Sequence, residues 1–249
     1  MAPDGAILRR VSTTSDANGA FHTTHWTLVL AAAGDDVAAR AALEELFATY
    51  WYPLYAFARR KGATSDEAED LVQGLCARLV ESGDLRRVAR EKGRFRSFLM
   101  AAMQHHLLNE RDRAHAAKRG GGGVVLAVDF DAADERFARE PQRGRTPEEE
   151  FERAWALEVL REAVAAIERE YRESGRAVLF DALRGELEGD AAPHAELATK
   201  LGMSAGAVKT AAFRLRERFG EVLRAQVART VGSPAAVEGE LGALWRALG

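Results

Sequence analysis

Lys209, Thr210, Phe213 and Arg214 fall at i, i+1, i+4 and i+5, so a helix through them sets all four along one edge. Ser204 stands where that helix would begin. An ammonium, a hydroxyl, an aromatic ring and a guanidinium suit hydrogen bonds and apolar contacts to base edges in a major groove, with the cations also reaching phosphates. Arg216 and Arg218, close by, read instead as a solvated helix face. Residues 84–119 carry ten basic against four acidic residues, a net of +6, and hold Phe95 and Phe98 among them. A basic block of this kind suits phosphate neutralisation.

The stretch 64–81 has the opposite sign, at −4, through Asp66, Glu67, Glu69, Asp70 and Glu81 against Arg78. Acids in a first helical turn suit the helix dipole, and an acidic block also suits a basic protein partner. Residues that could do covalent chemistry do not assemble. His105 and His106 are adjacent, so on a helix they point about 100° apart and cannot form a metal pair. The sequence contains no HExxH, GxSxG, glycine-rich phosphate loop or CxxC. No catalytic residue, metal site or cofactor is expected. Cys76, the single cysteine, precludes an intramolecular disulfide and fits a reducing compartment; its place in an apolar stripe reads as a buried, inert thiol.

The elements that must position these residues are helical. Of 249 residues 47% are hydrophobic and 29% charged, with only 6 prolines and a dominance of Ala, Leu, Arg and Glu, which predicts an all-α chain. The net charge of −3 hides the segregation: 193–229 carries +4 and 129–150 carries −4. No run reaches the roughly 20 apolar residues that span a bilayer, and the N-terminus lacks a signal-peptide pattern, so a cytoplasmic protein without membrane insertion is expected.

Residues 1–22 read as a disordered tail. A helix should begin near Thr24, and another should span 36–60, where Pro53 should kink or break it. Thr64 or Ser65 can cap a helix over 66–80, and Gly83 closes it. A basic loop over 83–93 leads into a long helix, 95–119, which dissolves at the four glycines 120–123. The net-acidic remainder to 146 reads as linker. Thr146-Pro147-Glu148-Glu149 is a helix start, with cap, proline and first-turn acids in order. Helices are predicted over 147–173 and 176–187, and a last amphipathic helix over 234–248 either packs on the body or binds a regulator.

Residues 194–218, HAELATKLGMSAGAVKTAAFRLRER, carry the most specific pattern. Leu197, Ala198 and Leu201 face inward from a first short helix, and Gly202 makes the turn. Met203 plugs the core, Ser204 caps a second helix, and Val208, Ala211 and Leu215 lie inside. This is a helix-turn-helix.

With that motif in place, the N-terminal half indicates the family. SDEAEDLVQGLCARLVES (65–82) and GRFRSFLMAAMQHHLLNERDRAHAAKRG (93–120) resemble region 2 of extracytoplasmic-function (ECF) sigma factors, with its "DAEDLVQE" helix and "FRSWL…N…RR" pattern. The GAVKT and RLRER runs resemble region 4, and the resemblance covers about 24–230. It implies two helical domains joined by a glycine-rich, acidic linker: a region 2-like bundle of three or four helices over 23–119, a linker over 120–146, and a region 4-like domain over 147–230, followed by the helix of 231–249. It also implies a transcription initiation factor that binds core RNA polymerase and promoter DNA, with an anti-sigma protein or other regulator as a further candidate partner. Asp66, Asp70 and Gln73 would dock on the clamp helices of the polymerase large subunit. Arg94, Phe95, Arg96, Phe98, His105 and Asn109, with Arg111 and Arg113 on flanking phosphates, would capture the melted minus-ten strand. Ser204, Lys209, Thr210, Phe213 and Arg214 would read the minus-thirty-five element. The chain departs from the pattern at Gly74, where a glutamate is usual, at Phe98, where a tryptophan is usual, and at His105, where relatives carry asparagine. The rival reading is a helix-turn-helix regulator that acts without core polymerase.

Overall fold

A computed structural model describes residues 37–81, 95–116, 129–140, 144–231 and 233–249, and the side chains of these except 37–46, 80, 81, 111–116 and 131. The tail 1–22, the helix expected near Thr24, the basic stretch 83–93 with Arg94, the glycines 120–123 and the side chains of Arg111 and Arg113 lie outside the described residues. No strand occurs among the described residues, and none of their helices is long and apolar enough to cross a membrane.

The described residues divide into two compact units, one drawn from 37–159 and 227–249, the other from 160–226. In the first, α1 (Val37–Arg60), α2 (Ser65–Glu81) and α3 (Phe95–Ala116) pack together. Their buried faces supply Tyr50, Leu54 and Phe57, then Val72, Leu75 and Cys76, then Phe95, Leu99, Met103 and Leu107. The last four recur every fourth residue, the spacing that keeps one face of a helix inward. Pro53 lies within α1 without interrupting it, so the expected break is absent. Thr64 caps α2 reciprocally. Its hydroxyl accepts from Glu67 N–H at 3.3 Å, while its own N–H donates to the Glu67 carboxylate at 2.8 Å. Burial raises the pKa of the Cys76 thiol well above its ordinary value.

Residues 130–139, expected to be linker, form a helix, α4 (Phe130–Arg139). Asp129 caps it by accepting from Ala132 N–H at 2.9 Å. Phe130, Ala133 and Phe137 fall at i, i+3 and i+7 against α1, where Phe130 meets Trp51 and Phe137 meets Tyr55 edge-on. Arg59 donates to Asp134, and Arg136 donates to Glu158. Residues 129–140 thus belong to the first unit. Its boundary with the second falls inside α5 (Pro147–Glu173), not ahead of it.

The N-terminal half of α5 starts with a second reciprocal cap, Thr146 with Glu149. It sends Phe151 and Trp155 into the same core, with Phe151 edge-on to Phe57. Arg60 meets the buried Glu150 at 2.8 Å and Lys61 meets Glu148 at 2.9 Å. After a 3-10 turn at Pro234–Ala236 the last helix, α10 (Val237–Leu248), buries Val237, Leu241, Ala243 and Leu244 in this unit.

The second unit joins the C-terminal half of α5 to α6 (Ala177–Leu183), α7 (Gly185–Glu188), α8 (His194–Leu201) and most of α9 (Ala205–Arg229). Its core holds Ala163, Ile167, Phe180, Leu183, Leu197, Val208, Ala212, Leu215 and Leu223.

Hydrogen bonds from Arg59, Lys61 and Arg218 hold the carboxyls of Asp134, Glu148 and Glu170 below the usual carboxylate range. The native state therefore binds fewer protons at these sites than the unfolded chain does. Their stabilisation is full at neutral pH and is lost as pH falls through the native titrations. Denaturant melts between about pH 7 and about pH 3 should show stability falling with acid, and Asp134→Asn or Glu148→Gln should each flatten that dependence.

Candidate nucleic-acid interface

Three surfaces carry the residues singled out from the sequence. The turn between α8 and α9 is closed by Gly202 at φ +63°, a left-handed conformation that glycine adopts without strain, and by a 3.0 Å bond from Met203 N–H to the Ala198 carbonyl. Ser204 caps α9 by accepting from Ala207 N–H at 3.2 Å. Leu197, Val208 and Leu215 are buried as expected, while the inward alanine is Ala212; Ala211 is only half-buried. Ser204, Lys209, Thr210, Phe213 and Arg214 all lie exposed, and Phe213 leaves 55% of its surface open. The Thr210 hydroxyl donates to the Gly206 carbonyl at 3.0 Å, which leaves its oxygen to accept.

The arginines of α9 divide into two sets. Arg218 binds Glu170 at 2.7 Å and Glu221 at 2.7 Å, and Arg216 binds Glu186 at 2.5 Å. Glu186, 4% exposed, uses its other oxygen on His194 Nε2 at 2.8 Å. One buried carboxylate thus ties the start of α8 to the flank of α9. No local sequence pattern marks Glu186, because its partners lie 8 and 30 positions away. Lys209 and Arg214 form no ion pair among the described residues.

On α2, Asp66 and Asp70 are exposed and Gln73, half-buried, donates to Glu69 at 2.8 Å. At i, i+4 and i+7 the three share a face. On α3 the expected residues separate. His105 and Asn109 lie exposed, and beside them Leu108 leaves 57% of its surface open. Phe98 is half-buried beside Phe95, their rings 6.0 Å apart. Phe95 and Arg96 are interior: Phe95 sits edge-on to Tyr50, and Arg96 is 3% exposed and ion-paired. In this structure neither offers a surface to a strand: Phe95 packs on Tyr50, and Arg96 is enclosed with Glu152 and Glu240.

The departure at Gly74 has a structural partner in His106. His106 is buried, and its Nε2 would stand 2.9 Å from a Cβ placed on Gly74. Glycine at 74 makes the space that the imidazole fills between α2 and α3.

Residues 24–225 match the family described as ECF sigma factor, and the chain belongs to that family. Its members are transcription initiation factors, acting with RNA polymerase at specific promoters, and not enzymes. No curated protein and no solved structure matches the chain.

In a helix, alanine is favoured over glycine by about 1 kcal/mol, but here the added methyl meets a buried ring. Overpacking costs about 1–3 kcal/mol, so after the helix gain Gly74→Ala should lower stability by up to about 2 kcal/mol. In a His106→Ala background the same change should be neutral or stabilising, a coupling that denaturant melts of the four proteins measure.

Proposed function

We propose that the three surfaces divide the labour of promoter-directed initiation. α9 lies in the major groove of the minus-thirty-five element, where Lys209 and Arg214 meet phosphates or purine edges and Phe213 packs on a thymine methyl. The Thr210 oxygen accepts from an exocyclic amine, and Ser204 lies at the groove edge. The exposed face of α3, with His105, Asn109 and the half-buried Phe98, receives the melted minus-ten strand, and Arg94, Arg111 and Arg113 take the flanking phosphates. Asp66, Asp70 and Gln73 of α2 dock on the basic clamp helices of the polymerase large subunit, matching charge to charge.

The observation that carries this reading is the outward edge of α9. It holds two exposed cations that no carboxylate among the described residues neutralises, in a helix whose other forward arginines are paired within the fold. Family membership supplies the polymerase and the promoter as partners. The rival role of a regulator independent of core polymerase has no observation in its favour.

Run-off transcription on genomic fragments tests the whole. Core polymerase supplied with this chain should start transcripts at discrete positions, and core enzyme alone should not. Lys209→Ala with Arg214→Ala should reduce those transcripts at least about tenfold, since each removes one good interaction with a base or phosphate, without weakening core binding. Asp66→Ala with Asp70→Ala should instead weaken core binding. Specific initiation that survives the α9 double variant unchanged would refute the assignment.

A further inference from the structure

The last helix lies beyond the span that the family model matches, which ends at residue 225. It nevertheless belongs to the same compact unit as α1–α4 and buries four apolar side chains there. Its Glu240 is 1% exposed and ion-paired with Arg96, 144 residues away in sequence. Arg96 also meets the Glu152 carboxylate at 2.7 Å, and its guanidinium lies 4.1 Å from the centre of the Trp155 ring. Arg153 donates to the Leu248 carbonyl at 3.3 Å, a second tie between α5 and α10.

Arg96 is the second residue of α3, and no acid occupies that helix's first turn. A cation there opposes the helix dipole, and a buried guanidinium needs carboxylates to replace its water. Glu152 and Glu240 together reverse the local charge, so the start of α3 is favourable only while both stand beside it. His105 and Asn109 lie further along the same helix, so the rotation and rise of its first turn bear on where they stand.

We propose that Glu240 is a positioning residue for strand capture: through Arg96 it fixes the first turn of α3, and with it the placement of His105 and Asn109. The proposal rests on the reading of α3 as the strand-capturing helix. It makes the segment past the family span a working part of the promoter-melting unit.

The test uses the full chain bound to core polymerase and a fluorescein-labelled single strand carrying the minus-ten segment of a promoter mapped by run-off. Glu240→Gln keeps the shape and removes the charge. It should weaken strand binding about tenfold, leave minus-thirty-five duplex binding unchanged and remain folded at the assay temperature. Glu240→Asp, which keeps the charge, should recover most of the strand affinity. Undiminished or tighter strand binding by Glu240→Gln overturns the proposal, and so does a lowered melting temperature with unchanged affinity. Failure of both variants to fold also overturns it, because the residue then holds the unit together without placing one helix. A His105→Ala, Asn109→Ala double variant separates the two readings. If it binds the strand normally, the reading of α3 fails. If it binds weakly while Glu240→Gln binds normally, only the positioning role fails.

Discussion

A cation that is to meet a nucleic acid must stay clear of the carboxylates of its own fold, and in this chain carboxylates outnumber cations, 38 to 35. Every arginine left open is therefore open against the average. The fold meets that constraint by sorting. Arg59, Arg60, Arg96 and Arg136 lie against Asp134, Glu150, Glu152 with Glu240, and Glu158, where they join helices. Arg216 and Arg218 turn to Glu186 and Glu170. Lys209 and Arg214, only a turn away, face solvent. Arg216 shares a stripe of the helix with Lys209, and Arg218 with Arg214, so the separation lies along the helix: the later two positions reach Glu186 and Glu170.

The same sorting organises the cores. Arginine stems and guanidinium faces lie along aromatic rings, Arg59 over Phe137 at 4.8 Å and Arg96 over Trp155 at 4.1 Å. The rings give the cations an apolar bed while carboxylates hold the charged end. A pair buried on both sides, as Arg96 with Glu240 is, adds little net stability over apolar packing, but it tolerates few alternative arrangements. The contribution of such pairs is to fix which helix meets which, above all at the first turn of α3.

Much of this was legible in the sequence. The apolar stripes of α2, α3, α5 and α9, both reciprocal caps and the turn at Gly202 follow from local periods and capping chemistry, which act within about one helical turn. Helix α4 was not legible. It has ten residues, follows a glycine run and is half polar, and its apolar positions make sense only against Trp51 and Tyr55 of α1. The matched pair Gly74 and His106, the tie from Glu186 to Arg216, and the pairing of Arg96 with Glu240 also escaped. Each depends on partners brought together by tertiary packing, which no period records. For the same reason Phe95 and Arg96, whose types suit a DNA strand, lie in the interior.

Salt dependence of duplex promoter affinity, measured for core polymerase loaded with single variants of α9, tests the sorting of charges most directly. Removing one cation–phosphate interaction lowers the slope of log affinity against log salt by about 1. Lys209→Ala and Arg214→Ala should each lower the slope by that amount, while Arg216→Gln and Arg218→Gln should leave it unchanged. An equal drop at all four positions, or none at Lys209 and Arg214, would contradict the division of α9 into paired and open cations.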